Sequence, residues 1–190
     1  MTGPTPDFIN KPHDSMPHKI FLVGPMGVGK TTIGKALAAK LGYSFKDSDH
    51  EIVARCGADI PWIFDLEGEA GFRQREQLVI DDLTRTDYQV LATGGGAVLC
   101  EENRQILMSR GVVIHLDVSL EEQLRRTSAD KNRPLLQTAD PRAVLLRLRQ
   151  ERRPLYEEVA HRRFEFGRMA PQRSASIIAS ELGFSKRKGE

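Results

Sequence analysis

The sequence predicts a three-layer α/β domain built on a mainly parallel sheet, and three observations carry that expectation. Short apolar runs alternate with stretches of helical periodicity, Gly and Pro punctuate the junctions, and no repeat period interrupts the alternation. The 190 residues suit one domain with one substantial core, and 39% hydrophobic with 28% charged residues is ordinary for a globular chain.

Basic and acidic residues nearly cancel to a net charge of +2, so no global field invites nucleic acid. Cys56 and Cys100 lie far apart without C-x-x-C spacing, which suggests neither a disulfide framework nor a metal site and makes a cytoplasmic home the simpler expectation. No apolar run approaches a membrane span, and the first residues hold no apolar signal core.

Residues 1–18 hold Pro4, Pro6, Pro12 and Pro17 among small polar residues and read as a disordered tail. The domain then runs over about 19–184, with a charged tail at 185–190. Ile20 to Val23 predict a first strand, which leads into Gly24-Pro25-Met26-Gly27-Val28-Gly29-Lys30-Thr31. This segment fits the phosphate-binding pattern G-x-x-x-x-G-K-[ST] at every fixed position. Glycines bring backbone N–H groups close to phosphate oxygens, and the following helix adds the positive end of its dipole. Lys30 suits the outer phosphates, and the Thr31 hydroxyl is a hard ligand for Mg²⁺.

That helix carries Ile33, Leu37 and Leu41 on one face and should end at Gly42. Tyr43 to Phe45 predict a second strand ending in Lys46-Asp47-Ser48-Asp49. At a strand's carboxyl end, one of these aspartates can serve a metal ion and the other a substrate hydroxyl; turn and cap duty is the plain alternative. Glu51 to Arg55 read as helix, Gly57 as its end, and Asp59 with Pro61 as a new start whose apolar face is Trp62, Ile63, Phe64 and Leu66. Gly68 and Gly71 bracket a predicted turn before a helix from Phe72 to Leu83, with Leu78, Val79 and Leu83 inward. Arg73 and Glu76, three apart, can hold one another on that helix.

Gln89 to Ala92 predict a buried strand that runs into Thr93-Gly94-Gly95-Gly96, bare backbone suited to close approach of a polar ligand. Helix is expected over Glu101 to Arg110 and strand over Val112 to Leu116. Ser119 with Glu122 reads as a capping box, which makes Asp117 structural. After Leu120 to Thr127, the polar, basic stretch 128–140 fits a mobile flap over a phosphate site. Asp140-Pro141 restarts a helix that Pro154 should kink or end; Phe164 to Phe166 predict a last strand and Ser174 to Leu182 a last helix.

Taken together, the phosphate loop, Asp47-Ser48-Asp49, Phe72-Arg73-x-x-Glu76, Gly94-Gly95-Gly96, Asn132-Arg133-Pro134-Leu135-Leu136 and Arg152-x-Pro154-Leu155-Tyr156 resemble the shikimate kinase family over about 19–183. The resemblance implies a P-loop kinase fold like that of nucleoside monophosphate kinases, with an acceptor-binding part at about 47–76 and a lid at about 128–140. It implies Mg²⁺-dependent transfer of the ATP γ-phosphoryl group to the 3-hydroxyl of shikimate, by a monomer. By resemblance, Arg73 and Arg152 hold the acceptor carboxylate, Asp49 receives its hydroxyls and orients or deprotonates the nucleophile, and Gly94, Gly95 and Gly96 add backbone contacts. Gly27, Val28, Gly29, Lys30, Thr31 and Thr32 fall on the nucleotide side. Thr31 and Asp47 attend the metal, Arg126 lies against adenine with Gln172 and Arg173 nearby, and Arg133 meets transferring charge. Two rivals share the loop: a kinase of gluconate or a nucleoside monophosphate, and a non-catalytic nucleotide switch.

Overall fold

Three consecutive parallel strands at the centre of the sheet are buried on both faces, and this is why their sequences are nearly unbroken apolar runs. The computed structural model describes residues 18–128 and 138–183. The expected tails, most of the lid and Arg133 with its flanking motif therefore lie outside the described residues.

Strands β1 (Lys19–Val23), β2 (Ser44–Asp47), β3 (Gln89–Ala92), β4 (Val112–Asp117) and β5 (Arg162–Glu165) form one sheet in the order β2-β3-β1-β4-β5, every pair parallel. Alternation along β1 assigns its side chains to two layers. Ile20 and Leu22 pack with Ile33, Leu37 and Ile178, from α1 (Lys30–Leu41) and α7 (Pro171–Glu181). Phe21 and Val23 pack on the other face with Ile52 of α2 (Ser48–Cys56), Phe72 and Val79 of α3 (Ile60–Leu83), Leu107 of α4 (Glu101–Arg110) and Tyr156 of α6 (Pro141–Val159). The remaining helix, α5 (Leu120–Thr127), follows β4. The expected three-layer α/β fold is the one observed.

Local signals set most boundaries. Gly42 closes α1 in the left-handed region, and Asp59 caps α3 by accepting from the Trp62 N–H at 2.9 Å. Ser119 caps α5 by accepting from Glu122 N–H at 3.3 Å, although the Glu122 carboxylate turns to Arg125 and Arg126 instead of completing the box.

Four expectations are corrected. The turn bracketed by Gly68 and Gly71 contracts to one residue: Gly68 alone leaves helical geometry (φ 67°, ψ −178°), so α3 runs through with a kink. Of the kink or end expected at Pro154, the end does not occur, since α6 runs on to Val159; Pro154 and Gln150 both lie on the exposed face, where the carbonyl deprived of its partner can meet solvent. Leu78, Trp62 and Leu66 are exposed, at 70%, 57% and 62%, because the inward stripe of α3 consists of Ile63, Phe72, Glu76, Val79, Ile80 and Leu83. Strand β2 reaches Asp47 and α2 begins at Ser48, so the aspartate motif spans the strand-helix junction directly.

Candidate active site

The phosphate loop connects β1 to α1, where Gly24, Gly27 and Gly29 have φ values of 139°, 75° and 98°. Gly29 is the N-cap residue of α1, no side chain caps that end, and no acidic residue sits in the first turn. The amides and the positive helix end are thus left for an anion. The Lys30 ammonium donates to Gly24 O at 2.7 Å and Pro25 O at 2.9 Å, so it lies over the loop it is meant to serve.

At the next strand end, Asp47 does two things. Its Oδ1 accepts from the Asp49 and His50 N–H groups at 3.1 and 3.4 Å, capping α2, while its Oδ2 accepts from the Thr31 hydroxyl at 2.7 Å. The cap and metal readings are therefore compatible. Two adjacent hard oxygens beside a phosphate loop fit Mg²⁺, which keeps several waters and takes few protein ligands. Among the described residues no group of three or more His, Cys, Asp or Glu gathers to hold a metal unaided.

Arg126 braces the loop. Its Nη1 donates to Val28 O at 2.9 Å, its Nη2 to Gly167 O at 2.6 Å and its Nε to Glu122 at 2.8 Å. Hydrogen bonds from Arg125 and then Arg126 pull the Glu122 carboxyl down to about 2. Beside Arg126 a cavity of about 180 Å³ is lined by Gly27, Gly29, Thr32, Phe166 and Pro171. Gln172 and Arg173 are exposed and are not among its lining residues.

Opposite the loop, Arg73 Nη1 donates to Glu76 Oε2 at 2.7 Å and Nη2 to Glu69 at 3.1 Å. Glu76 is fully buried, so this is no surface ion pair; burial pushes its carboxyl up against the pull of Arg73. Burial works against the Arg73 charge more than any one contact favours it, but Glu76 and Glu69 together outweigh it and hold the guanidinium above its usual range. The charges of Asp49 and Arg152 also act on Glu76.

The glycine triplet sits at the centre of these groups. A Cβ on Gly94 would stand 2.6 Å from Asp49 Oδ1 and 2.7 Å from Glu76 Oε1, and one on Gly96 would collide with the Arg73 guanidinium. At Gly95 a Cβ would lie 3.5 Å from Met26 N, so the triplet also touches the phosphate loop. Asp49, Arg73, Glu76 and the three glycines are brought together, with Arg152 within electrostatic reach. Three buried polar atoms of this group, Arg73 Nε, Glu76 Oε1 and Arg152 Nε, have no hydrogen-bond partner among the described residues. Orphans of this kind are expensive and mark a place where a polar ligand belongs.

Sequence reasoning missed two members. Ser48 accepts from the Gly94 N–H at 2.9 Å and is fully buried, pinning the triplet beside Asp49. Glu122 was read only as a cap, although its spacing from Arg125 and Arg126 was the available signal.

A family model described as Shikimate kinase matches residues 26–182. A shikimate kinase of Vibrio parahaemolyticus is 54% identical over 163 residues, covering 86% of this chain and 92% of the relative. One of Bordetella avium is 55% identical over 161 residues, covering 84% and 77%. Among solved structures, shikimate kinase from Acinetobacter baumannii in complex with shikimate has 49% identity and a TM-score of 0.85, covering 95% of this chain and 98% of that one. The enzyme from Aquifex aeolicus has 35% identity and a TM-score of 0.76, covering 87% and 96%.

Proposed function

This chain belongs to the shikimate kinase family and is an ATP-dependent kinase acting on shikimate; from that premise we propose that phosphoryl transfer takes place where the glycine triplet meets the phosphate loop, onto the acceptor's 3-hydroxyl. The observation that carries this placement is the set of orphaned atoms on Arg73, Glu76 and Arg152 around bare backbone, next to the phosphate loop.

In this reading the Gly27–Gly29 amides and the α1 end seat the phosphates, and Lys30 leaves the loop carbonyls to follow the transferring charge. The cavity beside Arg126 takes the base, on the open side of Val28 and Thr32. Thr31 and Asp47 would hold Mg²⁺, whose chemistry when bound is to neutralise phosphate charge. Arg73 and Arg152 take the acceptor carboxylate in planar forks. Asp49 accepts from the ring hydroxyls and orients or deprotonates the nucleophile. Arg133, outside the described residues, would meet the charge on the transferring phosphoryl group.

A monomer in the cytoplasm, as the family resemblance implies, completes the proposal, and Cys56 and Cys100 are both free. ADP release measured with shikimate, gluconate, AMP and no acceptor tests the whole. Turnover should require shikimate; rapid turnover with gluconate or AMP and none with shikimate would refute it.

A further inference from the structure

Tyr156 is 2% exposed and belongs to no role assigned above. Its hydroxyl donates to Gly95 O at 2.5 Å, the middle residue of the triplet. Burial pushes that hydroxyl up to about 12, so it keeps its proton and remains a donor at neutral pH. A neutral phenol also has lone pairs to give, and the Arg152 guanidinium lies one helical turn earlier on the same face of α6, close enough for its charge to pull against that shift. The ring is seated against His115 of β4, centroids 5.1 Å apart and planes 32° apart. Arg152 and Tyr156 line a small hollow together with Pro25 and Met26 of the phosphate loop.

One oxygen therefore holds a backbone carbonyl of the acceptor pocket and sits beside an arginine of the carboxylate clamp. Among the described residues Arg152 has a buried Nε without a partner, so its position depends on the few contacts it has. We propose that Tyr156 is a positioning residue for the acceptor: its hydroxyl ties Arg152 to Gly95 and so fixes the clamp relative to the glycine backbone. The inference rests on the placement of the acceptor site given above. It does not require any contact between Tyr156 and the nucleotide cavity, whose walls lie at Arg126 and Phe166.

Tyr156→Phe keeps the ring and removes only the oxygen. We expect the KM and Kd for shikimate to rise about tenfold or more, the scale of a lost hydrogen bond to a charged group. The KM for ATP should stay within about twofold, a split that a merely structural role would not produce. In an Arg152→Lys background the same exchange should add less than about twofold, because the hydroxyl acts through that arginine. Unchanged shikimate constants, equal losses for both substrates, or full additivity with Arg152→Lys would each overturn the inference. Should the Phe variant not fold, ¹³C-labelled tyrosine in the unaltered protein answers the question. Shikimate should shift the Tyr156 signal and leave Tyr43 and Tyr88, which pack together before β2 and β3, in place; an unmoved Tyr156 signal overturns the idea. Wild-type turnover is measured first: none with shikimate would sink the site reading itself, whereas turnover with an indifferent Tyr156→Phe sinks only this inference.

Discussion

Arg73 bears two loads that mutation can separate. It neutralises Glu76, which is fully buried and whose carboxyl burial has already pushed up, and in the role proposed for it the guanidinium also serves the acceptor carboxylate. Arg73→Ala should raise the shikimate KM by about ten- to a hundredfold, as expected for one charge-assisted contact. It should also cost up to about 3 kcal/mol of stability, because a buried carboxylate loses its partner. Adding Glu76→Gln should recover most of the stability and none of the KM. Thermal unfolding and steady-state kinetics of the single and double variants check this, and recovery of both together would show that the pair is structural only. Motif spacing alone linked Arg73 to Glu76; it could not show that one face of the pair is buried, since burial depends on how α3 is turned against β3.

At the level of elements, bare backbone at a strand end matters for what it allows to approach. A Cβ on Gly96 would stand 2.6 Å from Arg73 Nη1, and only the far end of a flexible side chain obstructs it. Gly96→Ala should therefore displace the guanidinium, raising the shikimate KM by roughly tenfold and losing part of the stability that Arg73→Ala loses, because Glu76 gives up its close partner. Gly42→Ala is the contrast: it caps α1 at φ 73° with nothing within 4 Å, so the strain should cost about 1 kcal/mol and leave both KM values alone. Equal kinetic effects at the two positions would remove the steric argument for the triplet. Elements governed by local rules were legible in the sequence. Strand β3 and helix α4 occupy the predicted residues, and Asp59, Ser119 and Asp140 cap the helices they announce. Those decided by tertiary context were not. Whether Gly68 makes a turn or a kink, and whether Pro154 ends a helix, depends on which face meets solvent, and Leu78 shows that an apolar residue at helical spacing can still point outward. The candidate site shows the same division, since its motifs were readable while Ser48 and Tyr156 owe their contacts to residues distant in the chain.

For the whole molecule, the sheet order places the ends of β1, β2 and β3 side by side, so loop, aspartates and triplet share one rim. Behind that rim, β4 buries His115, which is 1% exposed and has an Nδ1 without a hydrogen-bond partner among the described residues. Burial lowers its pKa from 6.5 to about 4, the opposing pull of Asp117 being weaker. The folded protein therefore refuses a proton that the unfolded chain accepts. Stability is complete above the unfolded value near 6.5 and is lost as pH falls toward 4, at up to about 1.4 kcal/mol per pH unit for one such group. His161, also lowered by burial, adds to the same slope, while Asp117, held low by Arg163 and Arg149 despite its own burial, gives way only in more acidic solution. His115→Phe keeps a ring against Tyr156 and has nothing to protonate. Urea unfolding between pH 7 and 4 should then show a reduced slope of stability against pH, with His161 supplying what remains, and an unchanged slope would mean that His115 is already charged in the fold.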